Sequence, residues 1–189
     1  GETGIMNATL SGAWRLYARA TAFVLAVLFA VGAAGHVVPP TLPWMLVLTP
    51  GFLLLTSMAV AVPSLATGGR RFALWAAGAY ALTFAAEAVG VATGAVFGEY
   101  VYGPTLGWKL LAVPVIIAFN WVMVVNGAIC IAGRILSLPA GPRRRIALPL
   151  LAGAIAAAFD WVMEPVAIRL DYWTWAGGGI PLQNYAAWF

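Results

Sequence analysis

Five long apolar stretches, separated by short segments rich in proline, glycine or arginine, organise this chain. They cover residues 16–38, 44–62, 72–97, 110–136 and 146–168. Each is long enough to cross a hydrocarbon layer about 30 Å thick, and a helix satisfies its own backbone polar groups in lipid. A β-barrel would instead need alternating segments of about 10 residues, which the pattern lacks. The pattern predicts an all-α, polytopic transmembrane bundle of at least five helices, forming a single domain over residues 6–189.

The basic residues predict how this bundle is oriented. Eight of the ten fall on one predicted side of the membrane, in front of the first helix, between the second and third, or between the fourth and fifth: Arg15, Arg19, Arg70, Arg71, Arg134, Arg143, Arg144 and Arg145. Positive charge concentrates on the cytoplasmic side of membrane proteins. The sequence therefore predicts an integral protein of a bacterial or archaeal cytoplasmic membrane with its N-terminus inside.

The two ends of the chain are interpreted separately from the apolar stretches. Residues 1–5 precede Met6 and are expected to be a remnant of expression, so they are excluded from fold reasoning. The tail, residues 171–189, contains three tryptophans, three glycines and Pro181. This mixture predicts an interfacial loop.

Composition narrows the classes of protein that fit. The chain is 63% hydrophobic and 8% charged, whereas a soluble domain carries roughly 25% charged residues. This excludes a soluble enzyme or a nucleic-acid binder, and the net charge of +4 is interpreted as topological. A single cysteine, Cys130, and a single histidine, His36, exclude an intrachain disulfide, a cysteine-based metal site and a multi-histidine centre.

Three acidic residues fall inside predicted membrane helices, where a carboxyl group is costly and marks a functional hypothesis. Glu87 lies 16 residues after Arg71, or about 24 Å along a helix. Asp160 lies 15 residues after Arg145, or about 22 Å, and Glu164 follows one turn later. Asn120 enters from the other side and reaches the same layer. We expect Glu87, Asn120, Asp160 and Glu164 to form a polar cluster in the outer half of the membrane.

Each of these residues also has a structural interpretation. Glu87 could be a protonated carboxyl bonded between helices, and Asp160 with Glu164 could form a polar stripe at the outer interface. Asn120 could form a hydrogen bond between helices, and His36 could have a structural role at the outer end of a helix. Most aromatic residues near the outer boundary suit an aromatic belt. Two of them, Trp121 and Trp161, adjoin members of the predicted cluster, where an indole face could stabilise a cation.

Three ordered blocks of residues resemble one family. The blocks are Glu87 to Tyr102 with its glycines at 90, 94 and 98, Val113-Pro114 followed by Asn120-Trp121, and Asp160-Trp-Val-Met-Glu164-Pro165 followed by Trp173, Trp175, Asn184 and Trp188. Together they resemble the membrane-integral carotenoid biosynthesis family, of the carotenoid 1,2-hydratase or bisanhydrobacterioruberin hydratase type. That family often has aspartate where this chain has Glu164, and its members are expected to continue beyond the last of these blocks.

The resemblance implies a hydro-lyase that adds water to the C1=C2 bond of an acyclic end group, on a substrate such as lycopene or a bacterioruberin precursor. A carboxyl group in an apolar site can stay protonated and act as an acid, and a second carboxylate can activate water. The implied partners are a carotenoid, water and membrane lipid, with no nucleic acid, metal or cofactor, and an oligomer is left open. The implied catalytic residues are Asp160 as the acid, Glu87 or Glu164 acting on water, and Asn120. The implied substrate-binding residues are Tyr100, Tyr102, Trp121, Trp161, Phe97, Gly94, Trp173 and Asn184.

Two other classes of function fit the same pattern. A carotenoid- or lipid-binding protein without activity, or a subunit of a complex, would share the apolar bulk. A proton-coupled transporter would also place acids in the membrane, but the cytoplasmic halves of the third and fifth predicted helices are almost purely apolar. A metal-dependent prenyl transferase is disfavoured because paired aspartate-rich motifs are missing.

Overall fold

A computed structural model describes residues 13–137 and 139–189. The expected expression remnant, residues 1–5, lies outside the described residues. Within these described residues, four helices of 21 to 52 residues and one of seven are joined by four brief strands. They are α1 (Ala13–Val37), α2 (Leu42–Thr93), β1 (Tyr100–Tyr102), β2 (Lys109–Leu110), β3 (Val113–Pro114), α3 (Val115–Ile135), α4 (Pro142–Arg169), β4 (Trp173–Trp175) and α5 (Leu182–Trp188).

The predicted all-α class is confirmed, and helices α1 to α4 are each long and apolar enough to cross a membrane. The number differs from the prediction, because the second and third predicted spans both fall within α2. Among the described residues there are thus four candidate spans where at least five were predicted.

Helix α2 is interrupted at Gly69, whose φ of 51° and ψ of −135° are not helical. Glycine adopts such a conformation readily because it lacks a Cβ atom. Ser57 hydrogen-bonds Asn120 of α3, and the ring of Tyr80 lies 4.8 Å from that of Phe119. In one straight helix Ser57 and Tyr80 would be about 35 Å apart. The first arm (residues 42–68) and the second arm (residues 70–93) therefore fold back at Gly69 and both pack on α3.

Two helix boundaries differ from the predicted ones for local reasons. The second arm ends at Thr93 rather than at residue 97, because Gly94 adopts a left-handed φ of 68° and its N–H caps the carbonyl of Gly90. Helix α3 begins at Val115 rather than at residue 110. Residues before it form the β2–β3 hairpin, whose turn at Leu111 and Ala112 has positive φ angles of 52° and 64°. The hairpin therefore contains apolar residues that the sequence pattern had assigned to the helix.

The second sheet joins two distant parts of the chain. Strands β1 and β4 pair antiparallel, with Tyr100 opposite Trp175 and Tyr102 opposite Trp173. The tail was expected to be an interfacial loop, but it contains β4 and α5. Pairing with β1 satisfies the backbone of β4, and α5 is held by buried contacts of Asn184. The sheet and α5 cover the ends of α2, α3 and α4.

The other contact that positions these helices is formed by small side chains. Helices α3 and α4 meet through four buried alanines, Ala128, Ala132, Ala152 and Ala156. Small residues allow helix backbones to approach closely in a membrane. The larger buried residues gather under the β1–β4 sheet, so the core lies at the same end of the bundle as the acidic residues.

Candidate active site

Three buried carboxyl groups line one cavity of about 100 Å³ beneath the β1–β4 sheet. Glu87 comes from the second arm of α2, and Asp160 and Glu164 come from α4, one helical turn apart. A cavity of about 10–15 Å³ already holds one water molecule, so this space can hold water beside a slender apolar group. None of the described residues that line it is basic. Hydrogen-bond donors, rather than cations, therefore surround these carboxyl groups.

Glu87 accepts three hydrogen bonds. The hydroxyls of Tyr100 and Tyr102 donate to Oε2 at 2.5 and 2.7 Å, and the indole Nε1 of Trp121 donates to Oε1 at 2.8 Å. Tyr100 and Tyr102 point the same way because side chains two apart share one face of a strand. Burial, and secondly the charge of Glu87, raises the pKa of both tyrosines above its ordinary value. Both therefore remain protonated donors.

Glu164 also accepts three hydrogen bonds. The indole Nε1 atoms of Trp173 and Trp175 both donate to Oε2 at 3.1 Å, and the amide of Asn184 donates to Oε1 at 3.2 Å. Since β4 pairs with β1, these tryptophans lie directly opposite the two tyrosines that hold Glu87. One face of a two-stranded ribbon thus supplies four of the six donors to the two glutamates.

Asp160 is bonded differently from the two glutamates. Its Oδ2 accepts one hydrogen bond, from the amide of Asn184 at 2.6 Å. Its Oδ1 is buried and has no hydrogen-bond partner in the described part of the chain. Asn184 therefore bridges Asp160 and Glu164, and one oxygen of Asp160 is left uncommitted.

Aromatic rings form the wall between the acidic residues. Trp121 stacks on Trp188 of α5, with ring centroids 3.7 Å apart and planes 18° apart, and Phe97 lies 6.1 Å from Trp121. Sequence reasoning placed Trp188 in the aromatic belt, although it stands in the third block of the resemblance. Helix α5 is too short to give a clear hydrophobic periodicity in the sequence. Its position over the cavity was therefore not predicted.

Most of the predicted site residues line this one cavity. Beside the three carboxyl groups they are Asn120, Phe97, Tyr100, Tyr102, Trp121, Trp173 and Asn184. Sequence reasoning missed further apolar residues there: Leu53, Leu106, Ile117, Met123, Val124, Phe159, Met163, Tyr172, Trp175 and Trp188. Their apolar or aromatic character alone did not distinguish them from ordinary core residues.

Two predicted substrate-binding residues lie elsewhere. Trp161 is 66% exposed and is not part of the cavity lining. It follows Asp160 directly, and because neighbouring residues on a helix point about 100° apart, Trp161 lies on the exposed side of α4 while Asp160 faces the cavity. Gly94 caps the second arm of α2 and lines a separate pocket beside Glu99. Its role is conformational in this structure.

No group of three or more His, Cys, Asp or Glu side chains suited to a metal ion occurs in the described part of the chain. Within the cavity, Asp160 and Glu164 are two carboxyl groups one helical turn apart, which is fewer side chains than such a metal site needs. Outside it, the amide of Asn126 donates to Ser64 at 3.1 Å, and His36 Nδ1 lies 2.7 Å from the carbonyl of Gly32. Both contacts are structural.

Comparison with known proteins points to one family. A family model described as "Carotenoid biosynthesis protein" matches residues 48–189. The bisanhydrobacterioruberin hydratase of Haloarcula japonica is 29% identical over 178 residues, which cover 88% of this chain and 60% of that protein. The chain thus spans about three fifths of the length of this relative. No solved structure matches the chain.

Proposed function

The chain belongs to the carotenoid biosynthesis protein family, and we propose that it adds water across the terminal C1=C2 bond of an acyclic carotenoid. The relative's name supports a hydratase. The observation that carries the reaction is the unequal bonding of the three buried carboxyl groups. Two are held by three donors each, whereas Asp160 has one donor and one buried, unpartnered oxygen.

Asp160 is assigned as the acid. Hydrogen bonds donated to a carboxylate favour its charged form, and an indole N–H can only donate. Glu87 and Glu164 each accept from indole nitrogens on fixed rings, which suits two carboxylates. A buried carboxylate oxygen without a donor is costly, so the proton of the cluster is most stable on Asp160. The resemblance implies the same role for Asp160.

The reaction then proceeds through a carbocation. Asp160 transfers its proton to C2, where a C–H bond forms from the π electrons and leaves a tertiary cation at C1. The oxygen of a water molecule bonds to C1, and Glu164 takes the proton that the water loses. Asn184, bonded to both carboxyl groups, keeps acid and base side by side, and the proton returns to Asp160 when a new water molecule enters. Positioned acid–base groups of this kind contribute roughly 10²–10⁴-fold to a rate.

The remaining residues of the cavity would stabilise the cation. The negative charge of Glu87 and the face of Trp121, which Trp188 holds in place, both attract positive charge. Asn120, at the apolar edge of the cavity, would orient the water molecule. The apolar lining limits water to the few molecules that react, which protects the cation from side reactions.

The proposed arrangement in the membrane has five crossings and a cytoplasmic N-terminus. The first arm of α2 would span about 40 Å and the second about 36 Å, each enough for a hydrocarbon core of about 30 Å. Arg70 and Arg71 follow the break at Gly69 directly, so the turn between the arms would lie on the cytoplasmic side. The acidic cavity would then open toward the outer half of the membrane and receive its substrate from lipid.

Expression of this chain in cells that accumulate lycopene tests the proposal. We expect carotenoids heavier by one water, about 18 Da, in mass spectra of the extracted pigment, and loss of this product with Asp160→Asn. Asp171→Asn is the matched control, because Asp171 is exposed and has a left-handed φ of 57° that asparagine tolerates. Unchanged lycopene that copurifies with the chain would contradict the hydratase and favour a pigment-binding protein.

A further inference from the structure

A second, larger cavity lies beside the acidic one. It has a volume of about 420 Å³ and lies between the two arms of α2 and the face of α3 that they cover. Its walls include Phe72, Ala76, Tyr80, Phe119, Val122 and Met123. The fold-back of α2 at Gly69 creates this groove, because it places both arms along the same helix.

The groove adjoins the acidic cavity. Met123 lines both spaces. Ser57 of the groove donates to Asn120 of the acidic cavity at 3.5 Å, and its hydroxyl lies 3.8 Å from the sulfur of Met123. A flexible methionine therefore forms the partition, and a polar pair marks the point where the apolar groove meets the acidic residues.

The shape of the groove suits a flat, straight chain. Along α3 it runs from Phe119 to Asn126, or about 10 Å parallel to the helix axis. Ala76 leaves room on one wall, and Tyr80 meets Phe119 edge to face at 4.8 Å. Asn126, at the far end, has its amide bonded to Ser64. The groove therefore offers apolar and aromatic surface along its length and little unsatisfied polar surface.

We propose that this groove binds the linear conjugated chain of a carotenoid whose end group occupies the acidic cavity. The inference rests on the proposed function and identifies where the rest of the substrate lies. A conjugated chain is already straight and rigid, so it loses less conformational freedom on binding than the saturated acyl chain of a lipid. When the flexible Met123 moves aside, a chain lying in the groove can extend its terminal double bond into the acidic cavity that Asp160 lines.

Filling the groove tests the inference. Ala76→Leu adds bulk on the wall of the groove, and Val122→Phe adds it from α3, so that two independent variants probe the same space. Ala85→Leu is the matched control, because Ala85 is exposed and lies nine residues on, about 180° around the same helix. Each variant is assayed with lycopene and with myrcene, a ten-carbon hydrocarbon that has the same terminal double bond and is too short to fill the groove.

The readout is the ratio of lycopene to myrcene hydration. We expect both groove variants to lower it at least about tenfold, the effect of displacing roughly two buried CH₂ groups, and Ala85→Leu to leave it unchanged. An unchanged ratio in both groove variants would overturn the inference.

A binding measurement separates this inference from the proposed reaction. In the Asp160→Asn background, we expect lycopene to copurify with the chain and Ala76→Leu to reduce the amount bound per protein. If the unsubstituted chain hydrates neither hydrocarbon but still binds lycopene in the groove, the proposed reaction is wrong and the proposed binding site is supported. If phospholipid alone copurifies and Ala76→Leu displaces it, the groove holds an acyl chain and the inference is wrong.

Discussion

Trp188 stacks on Trp121 at a centroid distance of 3.7 Å, so a residue next to the last one described completes the wall of the acidic cavity. Trp121 also donates its indole N–H to Glu87. The stack therefore connects α5 in the tail to the carboxyl group on the second arm of α2, through a ring of α3. In this way the tail takes part in the site rather than lying beside it.

The stack predicts that the tail is required for activity. We expect Trp188→Ala to lower hydration of lycopene about two- to tenfold, since an aromatic pair is worth about 0.5–1.5 kcal/mol beyond its buried area. Trp188→Phe should retain most of the activity because a ring still covers Trp121. Leu182→Ala is the control on the same helix, as Leu182 is 84% exposed. Product yield per folded protein is the measurement, and equal yields from Trp188→Ala and Leu182→Ala would refute a role for the stack.

The donors around Glu164 predict a variant that folds but does not react. In Glu164→Gln the side-chain carbonyl can still accept from Trp173 and Trp175, and only the hydrogen bond from Asn184 is lost, so the protein should still express and fold, with a modestly lower melting temperature. Loss of the carboxylate should lower turnover by roughly 10²–10⁴-fold, the usual contribution of a general base. Glu164→Asp, which keeps the charge one methylene further back, should recover part of the rate.

The exposed carboxyl of Glu99 supplies the control for this experiment. Glu99→Gln makes the same chemical change outside the acidic cavity and should leave product yield unaffected. Turnover of Glu164→Gln within a few-fold of this control would remove Glu164 from the reaction as its base.

The acidic cluster could be predicted from sequence because helix geometry is regular. A fixed rise per residue brought Glu87 and Asp160 to one depth, and the structure places both on the same cavity. The same reasoning failed for Trp161, which shares the depth of Asp160 but lies on the exposed side of α4. The depth of a residue in the membrane can be estimated by counting residues along its helix. Which face of the helix is buried depends on where the other helices pack, and the sequence alone does not show this.

The β1–β4 ribbon could not be predicted for a different reason. Its two strands of three residues lie about 70 positions apart and carry no long alternating pattern. Their pairing depends on how α2 and α4 end at the same level. Three of the aromatic residues that they contribute, Tyr100, Tyr102 and Trp173, were expected to bind substrate, with an aromatic belt as the structural alternative. In the structure they and Trp175 donate hydrogen bonds to buried glutamates.

The tyrosines of β1 predict a measurable contribution to stability. In Tyr102→Phe the buried Glu87 loses one of its three donors, and a hydrogen bond to a charged group contributes about 1.5–3 kcal/mol. The melting temperature of the purified protein in detergent should fall accordingly. Val101→Ala is the control on the same strand, because Val101 points to the exposed face. A smaller shift for Tyr102→Phe than for Val101→Ala would contradict the bonding described for Glu87.

The raised pKa of Tyr100 and Tyr102 predicts loss of stability in alkali. Because the folded protein holds these protons more tightly than the unfolded chain, whose tyrosines titrate near pH 10.0, their contribution is complete below that pH. It falls as the pH rises above it. We expect the melting temperature of the unsubstituted protein to drop more steeply above pH 10 than that of Tyr100→Phe/Tyr102→Phe. Parallel curves would show that these hydroxyls titrate normally.

The break at Gly69 predicts that the two arms of α2 cross the membrane separately. With Cys130 replaced by serine, single cysteines are placed at Val38, between α1 and α2, and at Thr67, beside the break. If the arms cross separately and the N-terminus is inside, a membrane-impermeant maleimide should label Val38→Cys in intact cells. It should label Thr67→Cys only after the membrane is permeabilised.

Trp108→Cys, in the exposed segment before β2, should behave like Val38→Cys. Labelling of Thr67→Cys in intact cells, with Val38→Cys protected, would reverse the orientation, and opposite labelling of Val38→Cys and Trp108→Cys would show that α2 crosses once.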